Sequence, residues 1–429
     1  MGRSHLGAVL LLCACGISET IPDHLLDRSC DKHAKLASVP SRLSTGVVPS
    51  PLTTFSPALL QLKQSLRRER VPQIQDTENT ENGSEGTSKN TAFPIGTGVD
   101  VGKSLEHRME QAGQPRGREK AGMKDVKLVG IRRGLSYGLN RGLVNQRIIL
   151  LGLLRYAKYL DAHHLSLETL QWAVGWNVTT QVCFDELFDV ATWNSVRLQT
   201  TGHRVRLPAL EKHGNVSHWV EPEQCYSWGL PAFLEPDDAL SKLLDLALRP
   251  AKPIQQVVDA FVRQASGPYG ALHARIEKDL QVSAFHAFHR VPLRDVYYML
   301  KEATGKYHCI RSLPQFFIAV SRDDVNDTDD AILLDEGKTP WQDSRLMFAG
   351  SKAAQKAGLN HTLVKGAIID YEVSCRAAFF VGYRGLSSFA GAVINARRWR
   401  QSGQESCTFE YTKTSIVRPQ LVHPLWFTG

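Results

Sequence analysis

Five ionisable side chains crowd into seven residues of this 429-residue chain: His273, Arg275, Glu277, Lys278 and Asp279 directly follow the apolar pair Ala271-Leu272. An arginine fixed at the carboxyl end of a buried strand offers a planar fork of donors to a diphosphate, and it stays charged at any working pH. A solvated turn can carry the same residue types, so both readings stand for this segment alone. Two other segments have related chemistry. Gly134, Gly138 and Gly142 lead into Leu143-Val144-Asn145-Gln146-Arg147 and then an apolar run. A strand, a glycine loop and a helix in that order present backbone amides and the positive end of a helix to an anion. Its spacing is neither the P-loop pattern nor the dinucleotide fingerprint. The third segment, Gly382-Tyr383-Arg384-Gly385-Leu386-Ser387-Ser388-Phe389, opens a helix with two serines. Ser387 there either caps its helix or faces a phosphate, and the two roles use one geometry. Asp327-Thr328-Asp329 invites a metal reading, but it belongs to a run with Asp323, Asp324 and Asp330 that overlaps a glycosylation sequon. It reads as a solvated loop, and no metal site is expected.

The elements that must hold these segments alternate. A strand is expected over 126–131 and a helix over 148–160. Pro253 to Gln264 has helical spacing, Tyr269 to Ile276 is strand-like, Leu293 to Thr304 helical, and Gln315 to Val320 a continuous apolar strand. Helices follow over 343–357 and 363–374, then a strand over 377–382 and a last helix over 387–400. Such alternation implies parallel strands with crossover helices on both faces, and ligands of such sheets bind at the strands' carboxyl ends. Trp172, Trp176, Trp193, Trp219 and Trp228 are read chiefly as packing residues.

Arg3 and His5 precede an apolar stretch from Leu6 to Cys15, which reads as a signal peptide within residues 1–20. No later stretch supplies the roughly 20 uncharged apolar residues of a membrane helix. Five sequons, at Asn82, Asn177, Asn215, Asn326 and Asn360, agree with a secretory route. So do six cysteines beyond the leader, Cys30, Cys183, Cys225, Cys309, Cys375 and Cys407, which suit a few bridges in no deducible pairing. Residues 21–125 are poor in aromatics and lack periodicity, so a disordered stem is expected. The net charge of +8 is local: residues 101–150 hold eleven Lys or Arg against four Asp or Glu. Without interleaved aromatics, that cluster is read as a solvated stem rather than a nucleic-acid surface.

Taken together, Gly142-Leu143-x-Asn145-Gln146-Arg147, His273-x-Arg275-x-Glu277-x-Asp279, and Asp370-x-x-Val373-Ser374 with Phe379-Phe380-Val381-Gly382 and Ser387-Ser388-Phe389 ahead of Arg397 closely resemble the GDP-fucose protein O-fucosyltransferase family. The resemblance covers residues 126 to 400. It implies an α/β protein of GT-B-like architecture, with two Rossmann-like domains (126–260 on the acceptor side, 261–429 binding the sugar nucleotide) facing a cleft behind the stem. It implies an inverting transfer of fucose from GDP-fucose to a protein or glycan hydroxyl, with no cofactor and no metal. By position, Arg275 would stabilise the leaving GDP, His273 would contact the nucleotide, and Asp279 would order that loop or touch the base. Asn145 would reach the phosphates from the first domain, Ser387, Ser388 and Phe389 would close on phosphates and ribose, and Gly142, Arg147 and Asp370 would complete the substrate-binding set. Glu277 and Asp279 are the carboxylates available as general base. Ala377-Ala378 stands where many relatives carry an Asp. The expected location is the endoplasmic reticulum or Golgi lumen, or outside the cell. A non-catalytic relative that binds GDP or glycan, and a secreted polyanion-binding protein, are the competing readings.

Overall fold

Leu128–Ile131 (β1) is a strand because four consecutive apolar or small residues can all be buried, and only a strand covered on both faces accepts such a run. The computed structural model describes residues 128–137, 142–174, 177–199, 204–235, 238–277, 290–320, 323, 325–383, 387–400 and 407–419. The expected leader and stem, residues 1–125, lie outside that set. After β1 come helix α1 (Leu143–Tyr159), β2 (His164–Ser166), β3 (Gln171–Val174), β4 (Asn177–Cys183), α2 (Phe184–Leu187), α3 (Val190–Ser195), β5 (Arg197–Gln199), β6 (Arg204–Arg206), β7 (Ala209–Glu211) and β8 (His218–Val220). Helices α4 (Pro222–Leu234), α5 (Ala239–Ala247) and α6 (Lys252–Gln264) follow.

The first sheet has the order β7-β2-β1-β8, with every pairing parallel. The strand pairs β3-β4 and β5-β6 are antiparallel and separate from it. Helices α1 and α4 touch backbone to backbone. A Cβ on Gly152 would fall 1.6 Å from the Cys225 carbonyl oxygen, and one on Gly229 would fall 1.9 Å from that of Ile148.

The second sheet is built from β9 (Tyr269–His273), β10 (Gln315–Ile318), β11 (Arg345–Met347), β12 (Phe379–Gly382), β13 (Thr408–Tyr411) and β14 (Ile416–Val417), with helices α7 (Leu293–Lys306), α8 (Thr328–Asp335), α9 (Gly350–Lys356), α10 (Thr362–Arg376) and α11 (Ser388–Arg400) between them. Its order is β11-β10-β9-β12-β13-β14, parallel except for the final pair. Alternate residues go to opposite faces. Ala271, Phe317 and Phe380 join one apolar core with α6 and α10, while Leu272, Phe316, Ile318, Phe379 and Val381 join another with α7 and α8. Burying each of these larger side chains contributes about 1.5–3 kcal/mol before the entropy of ordering is subtracted. Gly270 interrupts the central strand so that Phe379, its neighbour on β12, can lie across it: a Cβ there would be 2.2 Å from Phe379 Cζ.

The α/β architecture with parallel sheets is therefore present, and three local expectations change. The helix expected over 343–357 is instead strand β11, a turn with Gly350 at φ +56°, and the short helix α9. Pairing of β11 to β10 outweighs the local helical spacing. Helix α1 begins at Leu143, five residues before the expected start, so Asn145 and Arg147 belong to its first turns rather than to a loop. The aspartate run is only partly solvated: Asp327 caps α8, and Asp330 is 1% exposed, accepts from Leu293 N and pairs with Arg290. Trp172 and Trp193 are core residues, whereas Trp219 is 45% exposed. Cys183 is disulfide-bonded, and Cys225 and Cys375 are buried thiols. Asn215, Asn326 and Asn360 are exposed. Among the described residues, no helix is long and apolar enough to cross a membrane.

Candidate functional site

Strand β9 stops at His273, so the polar segment begins where the buried strand ends. Its neighbours β10 and β12, and β13 beyond β12, all run parallel to it. Their carboxyl ends therefore share one edge. Arg275 is held there at both its backbone and its side chain. Its amide donates to the Tyr411 hydroxyl at 3.1 Å, and its guanidinium pairs with Glu277 at 3.0 Å. Tyr411 is itself buried and stacked on Tyr383, ring centroids 4.9 Å apart. The result is a fixed cation, about one-fifth exposed along its side chain, at the end of the central strand.

His273 is 6% exposed and stacks on Phe389 at 4.8 Å between ring centroids. Burial, with the nearby Arg275 charge adding, pushes its pKa down to about 3. The imidazole is therefore neutral at physiological pH, and its Nδ1 has no hydrogen-bond partner among the described residues. In the unfolded chain the same group titrates near 6.5. Between those values the unfolded state takes up a proton that the folded state refuses. The stability linked to His273 is thus complete above the unfolded pKa and falls with pH below it, by about 1.4 kcal/mol per unit. In urea unfolding at pH 7 and pH 5, His273→Gln is expected to lose about 1–2 kcal/mol less than wild type over that interval. An identical loss in both proteins would show that His273 does not carry the effect.

The serine pair reaches the same edge from β12. Ser387 is buried and accepts from Ala390 N at 3.3 Å, so it caps α11. Ser388 donates its hydroxyl to Asn145 Oδ1 at 3.1 Å, across 243 residues of sequence. Asn145 lies in the first turn of α1. That turn is fixed by Gln146, which is fully buried and exchanges hydrogen bonds with Ala173 of β3 at 2.8 and 3.3 Å. Gly142, at the start of α1, is exposed in an extended conformation, and a Cβ there would meet no described atom within 4 Å.

Asn145, His273, Arg275, Glu277, Ser387, Ser388 and Phe389 are thus connected by direct contacts or by short stretches of one element. Asp370 lies behind them on α10, its carboxyl against Gly350, where an added Cβ would come within 2.6 Å. Desolvation raises its pKa well above the ordinary carboxylate range despite an amide bond from Gly350, and the charge of Glu277 adds to the rise. Burial thus favours the neutral form of Asp370, near enough to Glu277 for its charge to act. Arg147 points elsewhere, to Asp245 at 2.9 Å. Asp279 lies outside the described residues.

Sequence reasoning missed Tyr411, Asp245 and Tyr371. The first two lie outside every motif, and Tyr371, though next to Asp370, has no spacing signal of its own. Among the described residues, no group of three or more His, Cys, Asp or Glu side chains is gathered as metal ligands.

The fold and site together define an α/β protein with two parallel sheets and an arginine held at the carboxyl edge of the second. No family model matches the chain, and no curated protein matches it. Solved structures it is similar to include fucosyltransferases. POFUT1 in complex with GDP is 14% identical, with 66% of this chain and 97% of that one covered and a TM-score of 0.38. NodZ alpha-1,6-fucosyltransferase soaked with GDP-fucose is 11% identical, with 69% and 100% covered and a TM-score of 0.36. A mutant of Arabidopsis thaliana FUT1 in complex with GDP is 10% identical, with 75% and 79% covered and a TM-score of 0.34.

Proposed function

We propose that the protein is an inverting, metal-independent glycosyltransferase of the secretory-pathway lumen that moves fucose from GDP-fucose to a hydroxyl of a protein or glycan. One observation carries the reading. The three segments that resemble the O-fucosyltransferase motifs, distant in sequence, converge on one strand edge, with Ser388 on Asn145 at 3.1 Å and Phe389 on His273 at 4.8 Å. In the proposed step an acceptor hydroxyl oxygen forms a bond to fucose C1 from the face opposite the diphosphate, and its proton is released to solvent. The bond from C1 to the phosphate oxygen breaks, and its electron pair leaves with GDP. Charge develops on the departing diphosphate, and Arg275, pre-oriented by Glu277 and by the Tyr411 hydroxyl, is the donor aimed at it. In this scheme Glu277 acts as a positioning residue. The neutral His273 and the Ser387–Ser388 helix start contribute dipoles rather than charge.

The test is transfer of labelled fucose from GDP-fucose to peptide and oligosaccharide acceptors, with and without chelator. Retained transfer in chelator, with inversion at C1 seen by NMR, is the expected result. Absence of both transfer and GDP release would contradict the function. Loss on chelation with rescue by a divalent ion would contradict metal independence.

A further inference from the structure

Asp245 lies outside every motif read above, yet it joins four helices. It is fully buried on α5. It accepts from Arg147 of α1 at 2.9 Å, from Arg400 of α11 at 2.7 and 3.0 Å, and from the Tyr371 hydroxyl of α10 at 2.8 Å. Glu372, also buried, takes the remaining edge of Arg400 at 2.9 and 3.0 Å. Both guanidinium groups also lie over the Tyr371 ring, at 4.5 and 5.6 Å. Two cations and two carboxylates make the cluster neutral. Burial opposes the Asp245 charge, but the Arg400 and Arg147 guanidinium groups outweigh it and hold the carboxyl well below the usual range.

Two contact routes lead from this cluster to the candidate site. Arg147 is two residues from Asn145 on the same helix, and Asn145 receives the Ser388 bond. Tyr371 meets Phe389 edge to face at 5.9 Å, and Phe389 stacks on His273. Arg400, at the far end of α11 from Ser388, anchors that helix on the same carboxylate. We propose that Asp245 is a positioning residue of the donor site, the shared anchor that fixes α1, α10 and α11 so that Asn145 meets Ser388 and Phe389 covers His273. Charges buried and fully satisfied in this way set geometry more than they add net stability. The proposal rests on the donor-site reading above.

The test uses the full chain. Asp245→Asn leaves a buried excess of positive charge, and Tyr371→Phe removes only the hydroxyl contact, which keeps the question open to measurement if the first variant fails to fold. GDP binding is followed by calorimetry well below each melting temperature, and hydrogen exchange is followed over 143–147 and 388–392. Leu313→Ala, a core change away from the site, controls for general destabilisation. Expected are GDP binding weaker by tenfold or more for Asp245→Asn and by about threefold for Tyr371→Phe, with faster exchange in both segments. Leu313→Ala should bind within twofold of wild type. If wild type binds GDP and the folded variants bind within twofold of it, the positioning role is overturned while the donor site stands. If wild type itself binds no GDP, the donor-site reading falls and this inference with it.

Discussion

Arg275→Ala is expected to lower GDP-fucose turnover by roughly 10²–10³-fold, the loss typical when one pre-oriented donor to a developing anion is removed. The size follows from how Arg275 is held. Its amide is tied to Tyr411 at 3.1 Å and its guanidinium to Glu277 at 3.0 Å, so little reorganisation is left for the reaction itself. Arg275→Lys should recover little of the loss, because an ammonium group cannot pair with Glu277 and fork toward a diphosphate at once. Glu277→Gln leaves the cation in place with weaker orientation, and about a tenfold loss is expected. Initial rates of GDP release check all three. A fall of less than fivefold in Arg275→Ala would remove it from the leaving-group role.

Arg397→Leu carries the largest expected effect on stability. Arg397 is 1% exposed on α11, and its Nη1 donates to the carbonyls of Ser374, Cys375 and Ala377 at 3.3, 3.1 and 2.6 Å. Those carbonyls close the end of α10, where the helix has no further amides to offer. Nε reaches Thr408 Oγ1 at 2.9 Å, tying in β13. The shorter apolar leucine has no donors and would leave several buried acceptors unsatisfied, at about 1–3 kcal/mol for each group fully deprived. A total loss of roughly 3–5 kcal/mol is expected, seen as a fall in melting temperature on the order of 10 °C. A loss below about 1 kcal/mol in urea unfolding would mean that these carbonyls find other partners.

Much of the edge that carries the candidate site was legible because its signals are local. The apolar run of Tyr269 to Leu272 marks a strand, which ends at His273, three residues before its expected end, and serines ahead of an apolar helical pattern mark a helix start, which lies within one residue of expectation. The contacts that hold the edge were not legible, because their partners are remote. Asp245 is 98 residues from Arg147, 126 from Tyr371 and 155 from Arg400. In sequence, Asp245 lies in none of the segments singled out above, and Arg400 is only the last residue of the helix expected over 387–400. The strand at 345–347 failed for a related reason: its stability comes from pairing with β10, which no local pattern encodes. Arg147 illustrates the limit of carrying roles by position. It lies in a motif with Asn145, yet 3.6 residues per turn send its side chain away from Asn145, toward Asp245.

The most direct measurement is a calorimetric titration of the full chain with GDP-fucose in the presence of chelator, run beside Arg275→Ala. The account predicts saturable binding near one donor per chain for wild type, and binding at least tenfold weaker for the variant. No detectable binding by wild type, or equal affinity in the two proteins, would contradict it.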